Sequence, residues 1–171
     1  MGGVDKPALE VGSSTLLDRV IAAVPGAARV VVVGPERATE RPVTWTREDP
    51  PGGGPVAALA AGLPHVTAPR VVLLAADLPL LDAATVDHLL SRTGDGVLLV
   101  DETGHDQLLL GVWRTERLRD ALPPEPAGGR LGALLGPLVT DRVCPDKIAG
   151  RLAPWSDVDT PEDLARVRGS R

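Results

Sequence analysis

The sequence predicts an α/β fold whose sheet is mostly parallel and covered by helices on both faces. Three observations carry this reading. Val- and Leu-rich runs without polar alternation occur at residues 29–33 and 70–76, as strands buried on both faces require. Segments with apolar residues at helical spacing alternate with the strand candidates. Gly- and Pro-rich turns, notably Gly34-Pro35, residues 50–55 and Pro123-Pro124, punctuate that alternation.

Residues 15–24 place Leu16, Leu17, Val20, Ile21 and Val24 on one helical stripe, with Ser13 or Ser14 available as cap. The Val run 29–33 ends at Gly34-Pro35 and reads as a buried strand, and 43–46 is a short strand. After the turn at 50–55, small residues form a helix over 56–63. Residues 70–76, Arg-Val-Val-Leu-Leu-Ala-Ala, give a strand that stops at Asp77, and Asp82 caps a helix running through Ser91. Residues 96–101 and 108–113 are strands joined by a polar turn, 115–122 and 131–135 are helices, and 139–143 is a strand. Thr160-Pro161 caps and opens a last helix.

Composition narrows the function classes. The 171 residues fit one domain with a sizeable core, 43% apolar and 24% charged. Tyr and Phe are absent, so the core is aliphatic apart from Trp45, Trp113 and Trp155. A net charge of −5 argues against nonspecific nucleic-acid binding, which needs a basic footprint. The sequence holds no apolar run of membrane-spanning length. It also opens without a basic-then-apolar leader, and its lone Cys144 fits a reducing cytoplasm.

In open α/β sheets ligands bind beyond the carboxyl ends of strands, which singles out Gly34, Asp77 and the loop after Trp155. A carboxylate at such a strand mouth suits Mg²⁺, an ion held by carboxylate and phosphate oxygens. As a turn or helix-cap residue, Asp77 would need no ligand. Gly52, Gly54 and Ala57 satisfy the dinucleotide pattern G-x-G-x-x-A, but Arg47-Glu-Asp-Pro-Pro51 precedes it where an apolar strand should stand. A dehydrogenase is therefore disfavoured, although free amides at the start of the next helix can still meet an anion. Lys6 beside glycines can contact phosphate as a point charge, or be an ordinary surface lysine. Asp157 and Asp159, two residues apart, face one way if extended. His65, His88, His105 and Cys144 show no metal-ligand spacing, and no G-x-S-x-G elbow occurs.

Four segments, in order, resemble the molybdenum cofactor guanylyltransferase family. Met1-Gly-Gly-Val-Asp-Lys6 is similar to its Met-Gly-x-Asp-Lys, and Gly54-Pro-Val-Ala-Ala-Leu59 to its Gly-Pro-Leu-Ala-Gly-Leu. Ala76-Asp-Leu-Pro79 is similar to its Cys-Asp-x-Pro, and Asp157-Val-Asp-Thr-Pro-Glu-Asp-Leu164 to its Asn-x-Asn-Thr-Pro-Glu-(Asp/Glu)-Leu. The resemblance implies a three-layer α/β/α, Rossmann-like nucleotidyltransferase fold. It implies a Mg²⁺-dependent transfer of GMP from GTP to the terminal phosphate of molybdopterin, releasing pyrophosphate, with molybdoenzymes or their chaperones as further partners. By the same resemblance Asp77 and Lys6 are catalytic, and Lys6, Gly34, Asp49, Gly54, Pro55 and Asp77 bind nucleotide. Asp77 holds Mg²⁺, and Asp157 and Asp159 bind the acceptor, one of them as a further metal contact.

Three departures qualify the resemblance. Gly34 stands where the family often has Asn, and Asp157 and Asp159 replace two Asn residues. The family's preceding strand and Leu-Ala-Gly-Gly loop lie ahead of the Met with which this sequence starts. The single domain 1–171 thus reads as about 20 residues short of the family, with exposed apolar surface expected where a central strand is missing. Related transfers, of CMP or to another phosphorylated acceptor, are the nearest alternative. An inactive nucleotide-binding or partner protein of the same fold is a further one.

Overall fold

The computed structural model describes residues 6–144 and Ala153, and for Lys6 the backbone alone. A 3-10 turn, Lys6–Ala8, leads into a small antiparallel hairpin of β1 (Glu10–Val11) and β2 (Ser14–Thr15). Helix α1 (Leu16–Ala22) follows at once. Its cap is Thr15 and not Ser13 or Ser14, because the hairpin holds Thr15 extended at the helix mouth. The Thr15 Oγ1 accepts the Asp18 N–H at 3.0 Å and donates to the Asp18 carboxylate at 2.6 Å. Asp18, only 7% exposed, also accepts the Glu40 N–H at 2.9 Å and so fastens the following loop to the helix.

Next come β3 (Val31–Val33) and β4 (Thr44–Thr46), paired in parallel. Helix α2 (Pro55–Gly62) leads through a 3-10 turn, Leu63–His65, to β5 (Arg70–Leu74). Helix α3 (Ala83–Ser91) is capped as its sequence predicts, with the Asp82 carboxylate accepting the Thr85 N–H at 2.8 Å. Strands β6 (Gly96–Val100) and β7 (Asp106–Arg114) form a hairpin. Helices α4 (Thr115–Ala121) and α5 (Leu131–Leu135) precede β8 (Asp141–Val143), shorter than the predicted 139–143. The helix predicted after Thr160 lies outside the described residues. No helix among the described residues is long and apolar enough to cross a membrane.

The four-stranded sheet has the order β5-β7-β6-β8. Strands β5, β6 and β8 run one way and β7 runs against them, so the sheet is mixed. The expectation of a mostly parallel sheet holds for strand directions but not for every ladder. The return strand of the β6–β7 hairpin must run backwards, and it is this strand that pairs with β5. Side chains alternate between two cores. On one face Val20 of α1, its C-cap Ala23, and Val86 and Leu89 of α3 meet Val97, Leu99, Leu110 and Val112. On the other, Leu63, Leu118 and Leu135 meet Leu98, Val100 and Trp113. The molecule is therefore three-layered, α/β/α.

Strand β3 corrects one expectation. All three of its valines are only half-buried, and β5 is half-buried along its length, whereas every residue of β6 is buried. Among the described residues β3 pairs only with β4, and β5 only with β7. Among the described residues each strand keeps one bare edge, so an apolar run that reads as fully buried is paired on one flank alone.

Trp113 fills the second core with no exposed surface, and Gly96 opposite it in the ladder makes the room. A Cβ at Gly96 would stand 2.6 Å from the indole Cζ3 and 2.5 Å from the Leu138 carbonyl oxygen. Backbone and a close-packed ring must both move to admit it. Gly96→Ala is expected to cost roughly 3 kcal/mol, read as a lowered urea midpoint at unchanged slope.

Candidate functional site

The apolar run of β5 carries the chain to the sheet's end, where the Ala75 N–H makes a last bond to the Leu109 carbonyl at 2.9 Å. The chain then turns, and Asp77 stands half-buried just past the strand's carboxyl end. Its neighbours fix it there: Leu78 is 3% and Leu81 6% exposed, both sunk in the core beneath α1 and α3. Asp77 thus occupies the predicted position, a carboxylate whose backbone is held by buried apolar anchors.

The segment led by Lys6 reaches the same place by another route. Its 3-10 turn and hairpin lie against the start of α1, joined by the Leu16 N–H to the Leu9 carbonyl at 2.9 Å. From α1 the Arg19 guanidinium reaches back to the Val11 carbonyl, Nη2 at 2.8 Å and Nε at 3.2 Å. Its Nη1 reaches forward to the Pro79 carbonyl at 3.3 Å. The structure therefore brings the Lys6 segment and the Asp77 loop together through one side chain.

The glycine loop is built around backbone that only glycine adopts readily. Gly52 and Gly54 have φ of +81° and +88°, and Gly54 is the N-cap of α2 with Pro55 at its first position. Since Gly54 has no side chain, the first turn of α2 has no side-chain cap and keeps its amides available to an anion. The loop is pinned by the Gly128 N–H to the Gly53 carbonyl at 2.8 Å. Asp49 itself is exposed, and it is the preceding Glu48 that touches the loop, accepting the Gly52 N–H at 3.0 Å. Backbone N–H groups, its own and that of Gly52, hold the Glu48 carboxyl below its usual range. Gly34 ends β3 with its N–H on the Thr46 carbonyl at 2.9 Å, and a Cβ there would meet open space.

Asp101 ends β6, which runs with β5, so it lies at the same end of the sheet as Asp77. Its oxygens are already committed. It accepts from the Thr103 N–H and hydroxyl at 2.8 and 2.6 Å, from the His105 N–H at 3.0 Å and from Gln107 Nε2 at 2.8 Å. These bonds, the Thr103 hydroxyl first, hold its carboxyl far below the usual range. Asp101 builds the β6–β7 turn. Among the described residues no three His, Cys, Asp or Glu side chains gather as a protein-only metal site would need. Asp157 and Asp159 lie outside the described residues.

Sequence reasoning passed over Arg19 and Glu48. An arginine inside a helical stripe looks like any surface arginine, and no spacing rule points to the two carbonyls it meets. Glu48 was hidden by its acidic neighbour, and only the fold of the loop tells the two apart.

Residues 1–139 match the MobA-like NTP transferase domain. A probable molybdenum cofactor guanylyltransferase from Natronomonas pharaonis is 30% identical, over 98% of this chain and 90% of its own length. The solved structure of molybdopterin-guanine dinucleotide biosynthesis protein A from Archaeoglobus fulgidus is similar at a TM-score of 0.72 and 18% identity, covering 98% of this chain and 90% of that one. The 2-C-methyl-D-erythritol 4-phosphate cytidylyltransferase of Thermus thermophilus is similar at 0.71 and 18%, covering 96% and 92%. At that identity the two structures speak for the fold, and they agree with the three layers seen here. The family match rests instead on four-fifths of the sequence, and by it the chain belongs to the MobA-like NTP transferase domain family, the nucleotidyltransferases.

Proposed function

We propose that this protein transfers GMP from GTP to the terminal phosphate of molybdopterin, releasing pyrophosphate, with Mg²⁺ as cofactor. The observation that carries the reading is the likeness to the Natronomonas pharaonis relative along almost the whole chain. The link that Arg19 makes between the hairpin after the Lys6 turn and the loop after Asp77 supports it. So does the uncapped start of α2, which offers amides to a phosphate.

The reaction asks little covalent work of the protein. The acceptor phosphate attacks the α-phosphorus, a P–O bond forms to it, and the bond to the departing pyrophosphate breaks. A phosphate nucleophile is already ionised near neutrality, so no side-chain base is required. Catalysis is then positioning and charge neutralisation. Mg²⁺ is usually held by one or two carboxylates plus substrate phosphates, and the single carboxylate at the mouth of β5 fits that demand. When bound, the ion would screen the repulsion between acceptor phosphate and triphosphate. Lys6 would add a point charge, and Asp157 and Asp159 would face the acceptor. A reducing compartment, the cytoplasm, suits the free and exposed Cys144.

A second reading, transfer of CMP, is favoured by the equal structural likeness to a cytidylyltransferase. Thermal melts with Mg²⁺ and each of GTP, CTP, ATP and UTP separate the two. Ligand at about 100 times its Kd stabilises by about 2.7 kcal/mol, so the binding nucleotide raises Tm by roughly 5–10 °C. A rise with GTP alone is the expected result, a rise with CTP alone moves the assignment to the second reading, and no rise with any nucleotide overturns both.

A further inference from the structure

Arg19 hydrogen-bonds to both segments that flank the predicted site. It projects from α1, whose neighbouring residues Leu16, Val20 and Ile21 are 0%, 6% and 3% exposed, so its base is as rigid as the core. Its guanidinium is half-buried and makes its three bonds to two neutral carbonyl oxygens, Val11 on one side and Pro79 on the other. Among the described residues no carboxylate pairs with it. A planar fork with donors on two edges can bridge acceptors in different directions, which a lysine ammonium on a flexible stem does less well. Val11 lies in the hairpin that continues the Lys6 turn, and Pro79 lies two residues after Asp77.

We propose that Arg19 is a positioning residue, setting the separation of the Lys6 segment and the Asp77 loop that transfer requires. The proposal rests on the transferase reading above. Arg19 touches neither nucleotide nor acceptor; it acts through the backbone of the two segments that would. A displacement of about 1 Å between such groups can cost about 10²-fold in rate. The hairpin is also tied to α1 by the Leu16 N–H to the Leu9 carbonyl and by the buried Val11, and residues 78–81 by Leu78 and Leu81 in the core, so Arg19 adds a direct hydrogen-bonded link between two segments that packing already places.

The test uses the whole chain with Arg19→Ala and Arg19→Lys, read by kcat and KM for GTP, Tm, and amide hydrogen exchange. In both variants kcat is expected to fall about 10²-fold, with KM changing less than about threefold. Arg19→Lys, which keeps charge and stem, is expected to retain the wild-type Tm. Exchange should quicken together in residues 10–15 and 78–81, while β6 keeps its protection. Wild-type kcat in Arg19→Lys, or quickening confined to one of the two segments or spread through β6, would overturn the proposal. Should the wild-type chain show no turnover, the transferase reading fails, and joint quickening of the two segments still decides whether Arg19 clamps them.

Discussion

Asp77→Ala is expected to lower kcat for pyrophosphate release from GTP by about 10³-fold or more while the protein remains folded. The size follows from what the carboxylate would do. Holding an ion that neutralises phosphate charge is worth several kcal/mol at the transition state, and about 4 kcal/mol is a factor near 10³ in rate. The fold survives because the loop is anchored by Leu78 and Leu81 in the core, neither of which is altered. Asp77→Asn keeps the shape without the charge and should lose nearly as much, which separates charge from packing. Pyrophosphate release by a coupled assay and Tm by calorimetry together check the result. Turnover within about tenfold of wild type in either variant would remove Asp77 from the metal site.

The position of Asp77 just past β5 was legible because its signal is local: six apolar residues in a row, then an acid, then Leu-Pro. The same holds for α1, whose stripe begins one residue after its true cap, and for Asp82 with Thr85. What was not legible depends on contacts across the fold. The β1–β2 hairpin has two residues a side, too few for any alternation to register. The mixed character of the sheet turns on which strand of the β6–β7 hairpin meets β5, a matter of docking and not of periodicity. Asp101 and Asp77 look alike in sequence, each closing an apolar strand. Only the four donors around Asp101 show that it is spent on its own turn. The valines 31–33 read as fully buried because burial on both faces and pairing on both edges leave the same composition, although the two are separate conditions.

The bare edges of β3 and β5 lead to an expected alternation in hydrogen exchange that side-chain burial would not foresee. Thr115 donates to the Pro69 carbonyl and Ala75 to the Leu109 carbonyl, so the odd residues of β5 bond with β7. The amides of Val72 and Leu74 then point away from the sheet, and should exchange roughly 10²-fold or more faster than those of Val71 and Leu73. In β3 the Thr44 N–H bonds to Val30 and the Gly34 N–H to Thr46, which leaves Val31 and Val33 facing outward. Helix α2 lies against β3, with Gly62 beside Val33, and the 3-10 turn that follows it puts Leu63 in the core with Val71 and Leu73 of β5. Among the described residues these two apolar strands each keep an open row of donors and acceptors, which makes a template for another strand. If exchange in β5 is instead uniformly slow, a strand occupies that edge in solution, and its dependence on protein concentration tells whether a second copy supplies it. Either outcome bears on the site, because β5 is the strand that leads to Asp77.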